Sequence, residues 1–399
     1  MYYRRHAGHN DRGYRVHAFF TGFNGELFML KGHGGNIYDL AQELGCRPSE
    51  IVDMSSNMNP LGPSPDMVAF LQENINTISK LPEVDANRTL NAFAGRYHID
   101  PERVVAGNGT TQFIYSIPRI LETKRALIFG PTYADYADAC AMYHIPYDYS
   151  TSGESVAFEH DISAAAQQIQ GYDTVFICNP NNPTGNIIPL ADLEQLCKSH
   201  ADINFVIDES YLMFVDGSNT QSMIKSTLPN VVVLNSLSKF FTIPGLRIGF
   251  LISSPVIIKK FKAYLLPWSV NSLAQMAVQY LMKQTAQVEQ FIENTINFIA
   301  REKNILFETF KDASLIKLFP STTCFILARL YGNLTADSLG NHLAQDRILI
   351  RNCANFSGLS HRFVRFSLKT SEINRMFAEK LLARISQEES AGKDEHRTY

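Results

Sequence analysis

Between residues 104 and 253 the chain alternates short β-branched runs with helical stretches, and few folds accept that rhythm. "RALIF" (125–129), "DTVFIC" (173–178), "NFVID" (204–208), "NVVVLNS" (230–236) and "LRIGFLIS" (246–253) are apolar at nearly every position rather than every second one. Strands read this way when both faces of their sheet are covered. Helical stretches such as "TTQFIYSIPRIL" and "PLADLEQLCKSH" separate most of them. The order predicts an α/β domain built on a mainly parallel sheet.

After residue 270 the pattern changes. "SLAQMAVQYLMK" and the long "QVEQFIENTINFIAREKNILFETF" read as helices, and "CFILARL", "ILIRNC" and "FVRFSL" as strands mixed with further helix. These predict a second, smaller α+β domain, with a ligand cleft between the two. The divisions expected are an extension at 1–31, a segment at 32–80 contributing to the small domain, a large domain at 81–285, a small domain at 286–390 and a polar tail at 391–399. The extension carries early arginines and an apolar stretch broken by Gly22, Asn24, Gly25 and Glu26. That break argues against a signal peptide or membrane span, and no role is assigned to it.

Charge and cysteine usage narrow the partners. Lys+Arg of 36 against Asp+Glu of 39 gives a formal charge of -3, which offers no electrostatic reason to expect nucleic acid or an anionic membrane. Small molecules are the expected partners. Six scattered cysteines (Cys46, Cys140, Cys178, Cys197, Cys324, Cys353) contain no C-x-x-C pair. They suggest neither a disulfide framework nor a metal site, and they fit a reducing cytoplasm.

The chemistry-bearing residues fall at strand ends. Gly107-Asn108-Gly109-Thr110-Thr111 lies between "RVVA" and a helix, where backbone N–H groups can hold a phosphate, although Asn-Gly is also a common hairpin turn. Asp208 closes "NFVID" and reads either as a helix cap or as a catalytic carboxylate. "NPNNPTG" (179–185) is compatible with a plain turn. Lys239 sits in "NSLSKFFTIPGLRIGF" (235–250), too apolar a segment for a surface lysine. Taken together and in this order, these elements suit one cofactor, pyridoxal 5'-phosphate. Its aldehyde needs an amine, for which Lys239 is the candidate, and its pyridine nitrogen needs a carboxylate such as Asp208. Its phosphate needs donors, which Thr110, Thr111, Ser236, Ser238 and Arg247 can supply.

"GNGTT", "PTYADY", "NPNNPTG", "DESY" and "SLSKFFTIPGLRIGF", at these intervals, resemble the fold-type I pyridoxal-phosphate enzymes of the class I/II aminotransferase superfamily over roughly residues 32–388. The resemblance implies a large domain with a mainly parallel seven-stranded sheet. It implies Lys239 as the covalent anchor, Asp208 at the pyridine nitrogen, Asn182 and Tyr211 at the ring hydroxyl, and Tyr133 stacked on the ring. The phosphate would lie at Gly109 and the donors already named. A homodimer with sites near the interface is also implied.

Within the superfamily, "HGGNIYDLAQELG", "DMSSNMNPLGP" and "LIRNCANFSGLSHRFVRFSL" resemble the L-threonine O-3-phosphate decarboxylases of cobalamin biosynthesis more closely than the histidinol-phosphate aminotransferases, the alternative reading. The implied reaction is decarboxylation of L-threonine phosphate to 1-amino-2-propanol phosphate, the linker of the cobalamin nucleotide loop, or of L-serine phosphate to ethanolamine phosphate. By similarity Arg365 would hold the substrate carboxylate, and Arg351, His33 and the Ser56/Asn57 loop the substrate phosphate. Gly34 and Gly35 allow backbone to approach an anion closely. One departure stands out: where such enzymes carry Tyr-Pro, with the tyrosine reaching the neighbouring subunit's cofactor phosphate, this chain has Leu81 before Pro82. An ordinary neutral hydrogen bond lost there costs about 0.5 to 1.5 kcal/mol. From another class comes the reading of a non-catalytic pyridoxal-phosphate sensor; such regulators bring a DNA-binding domain, and no basic helical domain precedes residue 32.

Overall fold

The structure, a computed structural model, describes residues 34–283 and 285–395. The extension at 1–31, His33 and residues 396–399, on which the sequence reading placed expectations, lie outside the described residues. The strands in chain order are β1 (Val52–Asp53), β2 (Val104–Gly107), β3 (Ala126–Gly130), β4 (Tyr147–Thr151), β5 (Thr174–Cys178), β6 (Asn204–Asp208) and β7 (Val231–Asn235). They continue with β8 (Gly249–Ile252), β9 (Ile316–Leu318), β10 (Phe325–Leu330), β11 (Ile348–Leu349), β12 (Arg351–Asn352) and β13 (Phe363–Ser367).

Among the described residues, seven strands form the central sheet in the order β2-β8-β7-β6-β5-β3-β4. β4, β3, β5, β6 and β7 pair in parallel, while β8 runs antiparallel to both neighbours. β3, β5 and β7 are buried at every position, as their unbroken apolar runs require. The period-two alternation of side chains then feeds two cores. Phe129, Ile177 and Phe205 pack into one, and Ile128, Phe176 and Val206 into the other. Truncating a fully buried phenylalanine such as Phe176 to alanine would cost about 3–5 kcal/mol.

A smaller antiparallel sheet follows in the order β12-β13-β10-β9. The segment "ILIRNC", expected as one strand, is divided at Ile350 because the chain changes partner there. Ile348 and Leu349 pair in parallel with Val52 and Asp53, and Arg351 and Asn352 pair with β13. The helix Ser371–Glu395 extends into the stretch expected as polar tail. Its apolar face is fixed by Phe377 and Leu381, both wholly buried.

Three distant stretches meet at the carboxyl edge of the central sheet, where open parallel sheets bind ligands. Gly107, Cys178, Asp208 and Asn235 end their strands there. The segment 53–59 is laced across that edge by hydrogen bonds from Met54 N to Leu349 O (2.8 Å), from Ser367 N to Met54 O (2.8 Å) and from Asn59 N to Lys239 O (3.1 Å).

Candidate active site

Lys239 is held by its neighbours rather than by its own contacts. After β7 the chain turns through Ser236-Leu237-Ser238, with Leu237 wholly buried as the pin. Ser238 Oγ donates to Ile248 O at 3.2 Å, and Phe241 N donates to Leu237 O at 3.0 Å. Asn59 Nδ2 donates to Phe240 O at 2.8 Å, tying the far side of the turn to the 53–59 segment. Lys239 lines the cavity. Burial first, then the positive charges of Arg365 and Arg247, depress its pKa to about 8. A neutral amine at a fixed place is what a covalent aldehyde anchor needs.

Beside it lies an anion cradle. The helix Gly109–Ile120 begins at the cavity, and its N-cap Asn108 gives the first turn no side-chain hydrogen bond. Those N–H groups are open to a ligand, at the positive end of the helix dipole. Gly109 has φ +77, and a Cβ there would stand 2.5 Å from Arg247 Nη2. A Cβ on Gly249 would meet Thr110 N at 2.3 Å, so β8 and the helix start touch backbone to backbone. Arg247 Nη1 donates to Pro244 O at 3.3 Å. No carboxylate among the described residues pairs with it.

Asp208, which lines the same cavity, is almost wholly buried. Its Oδ1 accepts from Ser210 N (3.0 Å) and Ser210 Oγ (2.6 Å), and its Oδ2 from Tyr136 Oη (2.8 Å). Burial pushes its pKa up against the opposing pull of these donors. Tyr211 Oη accepts from Asn57 Nδ2 at 3.1 Å, and burial raises its pKa although Arg365 opposes the shift. The Tyr133 ring meets Tyr136 edge to face, with centroids 5.9 Å apart.

Two arginines close the cavity from the small sheet. Arg351 and Arg365 are directly opposite in the β12–β13 register, so both project from the same face. Like charges placed so are a cost that a bound anion offsets. Arg365 donates to Ser55 O at 2.5 Å and to Asn182 Oδ1, and its buried Nε has no partner among the described residues. Arg351 donates to Asn355 Oδ1 at 2.6 Å and lies over the Phe356 ring at 5.3 Å. Burial, then Arg365, lower the Arg351 pKa. Asp53 shapes the loop facing them by accepting from Ser55 N (2.9 Å), Ser56 N (3.1 Å) and Ser55 Oγ (2.7 Å). A Cβ on Gly34 would lie 2.5 Å from Ser55 O, so the backbone fits closely there.

These walls enclose about 190 Å³, many times the ~10–15 Å³ that one water needs. Gly34, Ser56, Asn57, Gly109, Thr110, Thr111, Tyr133, Asn182, Asp208, Tyr211, Ser236, Ser238, Lys239, Arg247, Arg351 and Arg365 all line this one cavity. His33 lies outside the described residues. Sequence reasoning missed Tyr136, Ser210, Cys178 and Phe356, which line it too. The i, i+3 spacing of the two tyrosines in "PTYADY" was the available signal for Tyr136. Leu81 is 77% exposed and takes no part in the lining.

The site suits a polyanion with an aldehyde and a ring to hold. Three arginines and a lysine face a single carboxylate among the lining residues, and the arginine of the cradle lacks an acidic partner. Residues 49–381 match the family of aminotransferases of class I and II, and the chain belongs to that family. Its cofactor is pyridoxal 5'-phosphate, and the cradle beside Lys239 and Asp208 fits that group.

Among curated relatives, the chain is 30% identical over 358 residues to the threonine-phosphate decarboxylase of Salmonella typhimurium, covering 88% of this chain and 95% of that one. It is 32% identical over 351 residues to an adenosylcobalamin biosynthesis bifunctional protein of Leptospira interrogans, covering 87% of this chain but only 40% of that relative. Solved structures similar to this chain include both a decarboxylase and an aminotransferase. L-threonine-O-3-phosphate decarboxylase of Porphyromonas gingivalis aligns with TM-score 0.74 and 29% identity, and histidinol-phosphate aminotransferase of Clostridium acetobutylicum with TM-score 0.77 and 28% identity. Each alignment covers 84% of this chain and 100% of the other.

Proposed function

We propose that this enzyme decarboxylates a phosphorylated amino acid, L-threonine O-3-phosphate giving (R)-1-amino-2-propanol O-2-phosphate or L-serine phosphate giving ethanolamine phosphate. The observation that carries the reading is the opposed pair Arg351 and Arg365, lining the same cavity as the cradle at Arg247. One cradle serves the cofactor phosphate. The pair then serves a substrate with two anionic groups of its own.

In this reading Lys239 anchors the cofactor aldehyde, and Asp208 faces its ring nitrogen. Asn182 and Tyr211 hold the ring hydroxyl, and Tyr133 lies against the ring. Gly109, Thr110, Thr111, Ser236, Ser238 and Arg247 hold the phosphate. Arg365, braced by Asn182 and Ser55, binds the substrate carboxylate. Arg351 with Ser56, Asn57 and Gly34 takes the substrate phosphate, and His33 joins them by resemblance. When bound, the cofactor supplies an electron sink for the pair left behind as the carboxylate departs as carbon dioxide. Lys239, with a pKa of about 8, returns a proton from Nζ to the reacting carbon.

Cobalamin biosynthesis, the process named for the Leptospira relative, is the setting that this chemistry suits. Six free cysteines support a reducing compartment such as the cytoplasm. A homodimer is supported by an exposed apolar patch comprising Ile75, Ile78, Leu81, Val84, Leu266 and Trp268, whose two stretches are joined by Trp268 N donating to Val84 O at 3.0 Å.

The test is a substrate panel on purified holoenzyme. Decarboxylation predicts carbon dioxide from L-threonine phosphate or L-serine phosphate with no keto acid added. Turnover of histidinol phosphate only when 2-oxoglutarate is supplied would assign the chain to the aminotransferases instead, and cofactor binding without turnover of any of these would leave the sensor reading.

A further inference from the structure

Asp208 can accept about four hydrogen bonds, two per oxygen. Three are taken inside the protein: Ser210 N and Oγ fill Oδ1, and Tyr136 Oη occupies one position on Oδ2 at 2.8 Å. The fourth lies on Oδ2, and Asp208 lines the cavity. The oxygen left for the cofactor is therefore the one that Tyr136 holds.

We infer that Tyr136 is a positioning residue, whose hydroxyl aims Asp208 Oδ2 at the cofactor's ring nitrogen and keeps that carboxylate ionised. The inference rests on the assignment of Asp208 to that nitrogen. It holds for a decarboxylase and an aminotransferase alike.

Packing makes the arrangement rigid. Tyr136 is 1% exposed, and its ring stacks on Phe176 with centroids 5.4 Å apart and planes 20° from parallel. It stands in the first turn of the helix Asp135–Met142, so the hydroxyl has little freedom to leave Asp208. Burial also raises the phenol's own pKa well above its usual value, which keeps it a donor at any ordinary pH. The other groups facing Asp208 are Ser210 and Glu209 after β6, Cys178 at the end of β5, Tyr133 before the helix, and Lys239 after β7. Of these only Lys239 can carry opposite charge, and its amine is the cofactor's anchor. Tyr136 and Ser210 are thus the main forces opposing protonation of a buried carboxyl.

The experiment measures the cofactor dissociation constant by absorbance titration from pH 5 to 9, without substrate. Tyr136→Phe removes one oxygen from a buried ring. It should weaken binding about tenfold at neutral pH and move the acid limb of the affinity profile up by about one pH unit, because Asp208 then takes a proton more readily. Phe377→Leu truncates a wholly buried ring that takes no part in the cavity, and should lower thermal stability while leaving the limb in place. Incorporating 3,5-difluorotyrosine at position 136, nearly the same shape and a stronger donor, should move the limb down. It keeps the test available if Tyr136→Phe does not fold. An unmoved limb in the Tyr136 variants, or an equal shift in Phe377→Leu, overturns the inference. Asp208→Ala separates the two levels: unchanged affinity in that variant refutes the role of Asp208 itself, whereas a loss there without one in Tyr136→Phe refutes only the role of Tyr136.

Discussion

An ordinary lysine is only about 0.1% neutral at pH 7.5, whereas one with the pKa of about 8 found for Lys239 is about one quarter neutral. The same depression affects stability. A lysine whose folded pKa lies below its unfolded value of about 10.4 contributes fully above the unfolded pKa, and its contribution is lost as pH falls through about 8. Lys239→Met should therefore make the cofactor-free chain more resistant to urea at pH 7, with a smaller gain at pH 9.5. It should also abolish covalent retention of pyridoxal phosphate, read by mass after borohydride reduction. A variant that still retains the cofactor covalently would remove Lys239 from the account. Legibility at this scale followed chemistry: Lys239, Asp208 and Arg247 are types with few uses in apolar segments. Tyr136 escaped because an aromatic residue at helical spacing reads as core, and the structure makes it both core and donor to Asp208.

Elements place these residues, and the start of the helix Gly109–Ile120 does so with least tolerance. Gly109→Ala introduces a Cβ at φ +77 and 2.5 Å from Arg247 Nη2, so Arg247 must move from the cradle. Strain of about 1–3 kcal/mol is expected. The measurable outcome is at least about tenfold weaker cofactor binding with the central sheet intact by circular dichroism; unchanged affinity would show that Arg247 does not form the cradle. Six strands of that sheet were readable because almost every residue in them is apolar, whereas β4, a partly exposed edge strand with the sequence YDYST, was not. Nor was "ILIRNC", since no local signal says that Ile348 pairs with Val52 while Arg351 pairs with Arg365. The opposition of the two arginines depends on that register, which only the assembled small sheet defines.

For the whole molecule, a formal charge of -3 conceals a cavity where Lys239, Arg247, Arg351 and Arg365 gather around Asp208. Net charge offers no electrostatic reason to expect macromolecular polyanions as partners, and placement favours small ones. The exposed patch at Ile78 and Leu81, 66% and 77% accessible, leads to a further expectation. On the homodimer proposed above, the double variant Ile78→Asp, Leu81→Asp should shift sedimentation from dimer to monomer and leave the unfolding midpoint of each protomer nearly unchanged. A dimer that survives both charges would place the interface elsewhere.

The central claim is that the bond broken joins the α-carbon to its carboxylate. The most direct measurement is proton NMR of the holoenzyme with L-threonine phosphate in deuterium oxide, without a keto acid. The account predicts 1-amino-2-propanol phosphate carrying one deuterium on the carbon next to nitrogen. Substrate that keeps its carboxylate but exchanges its α-hydrogen for deuterium would contradict it.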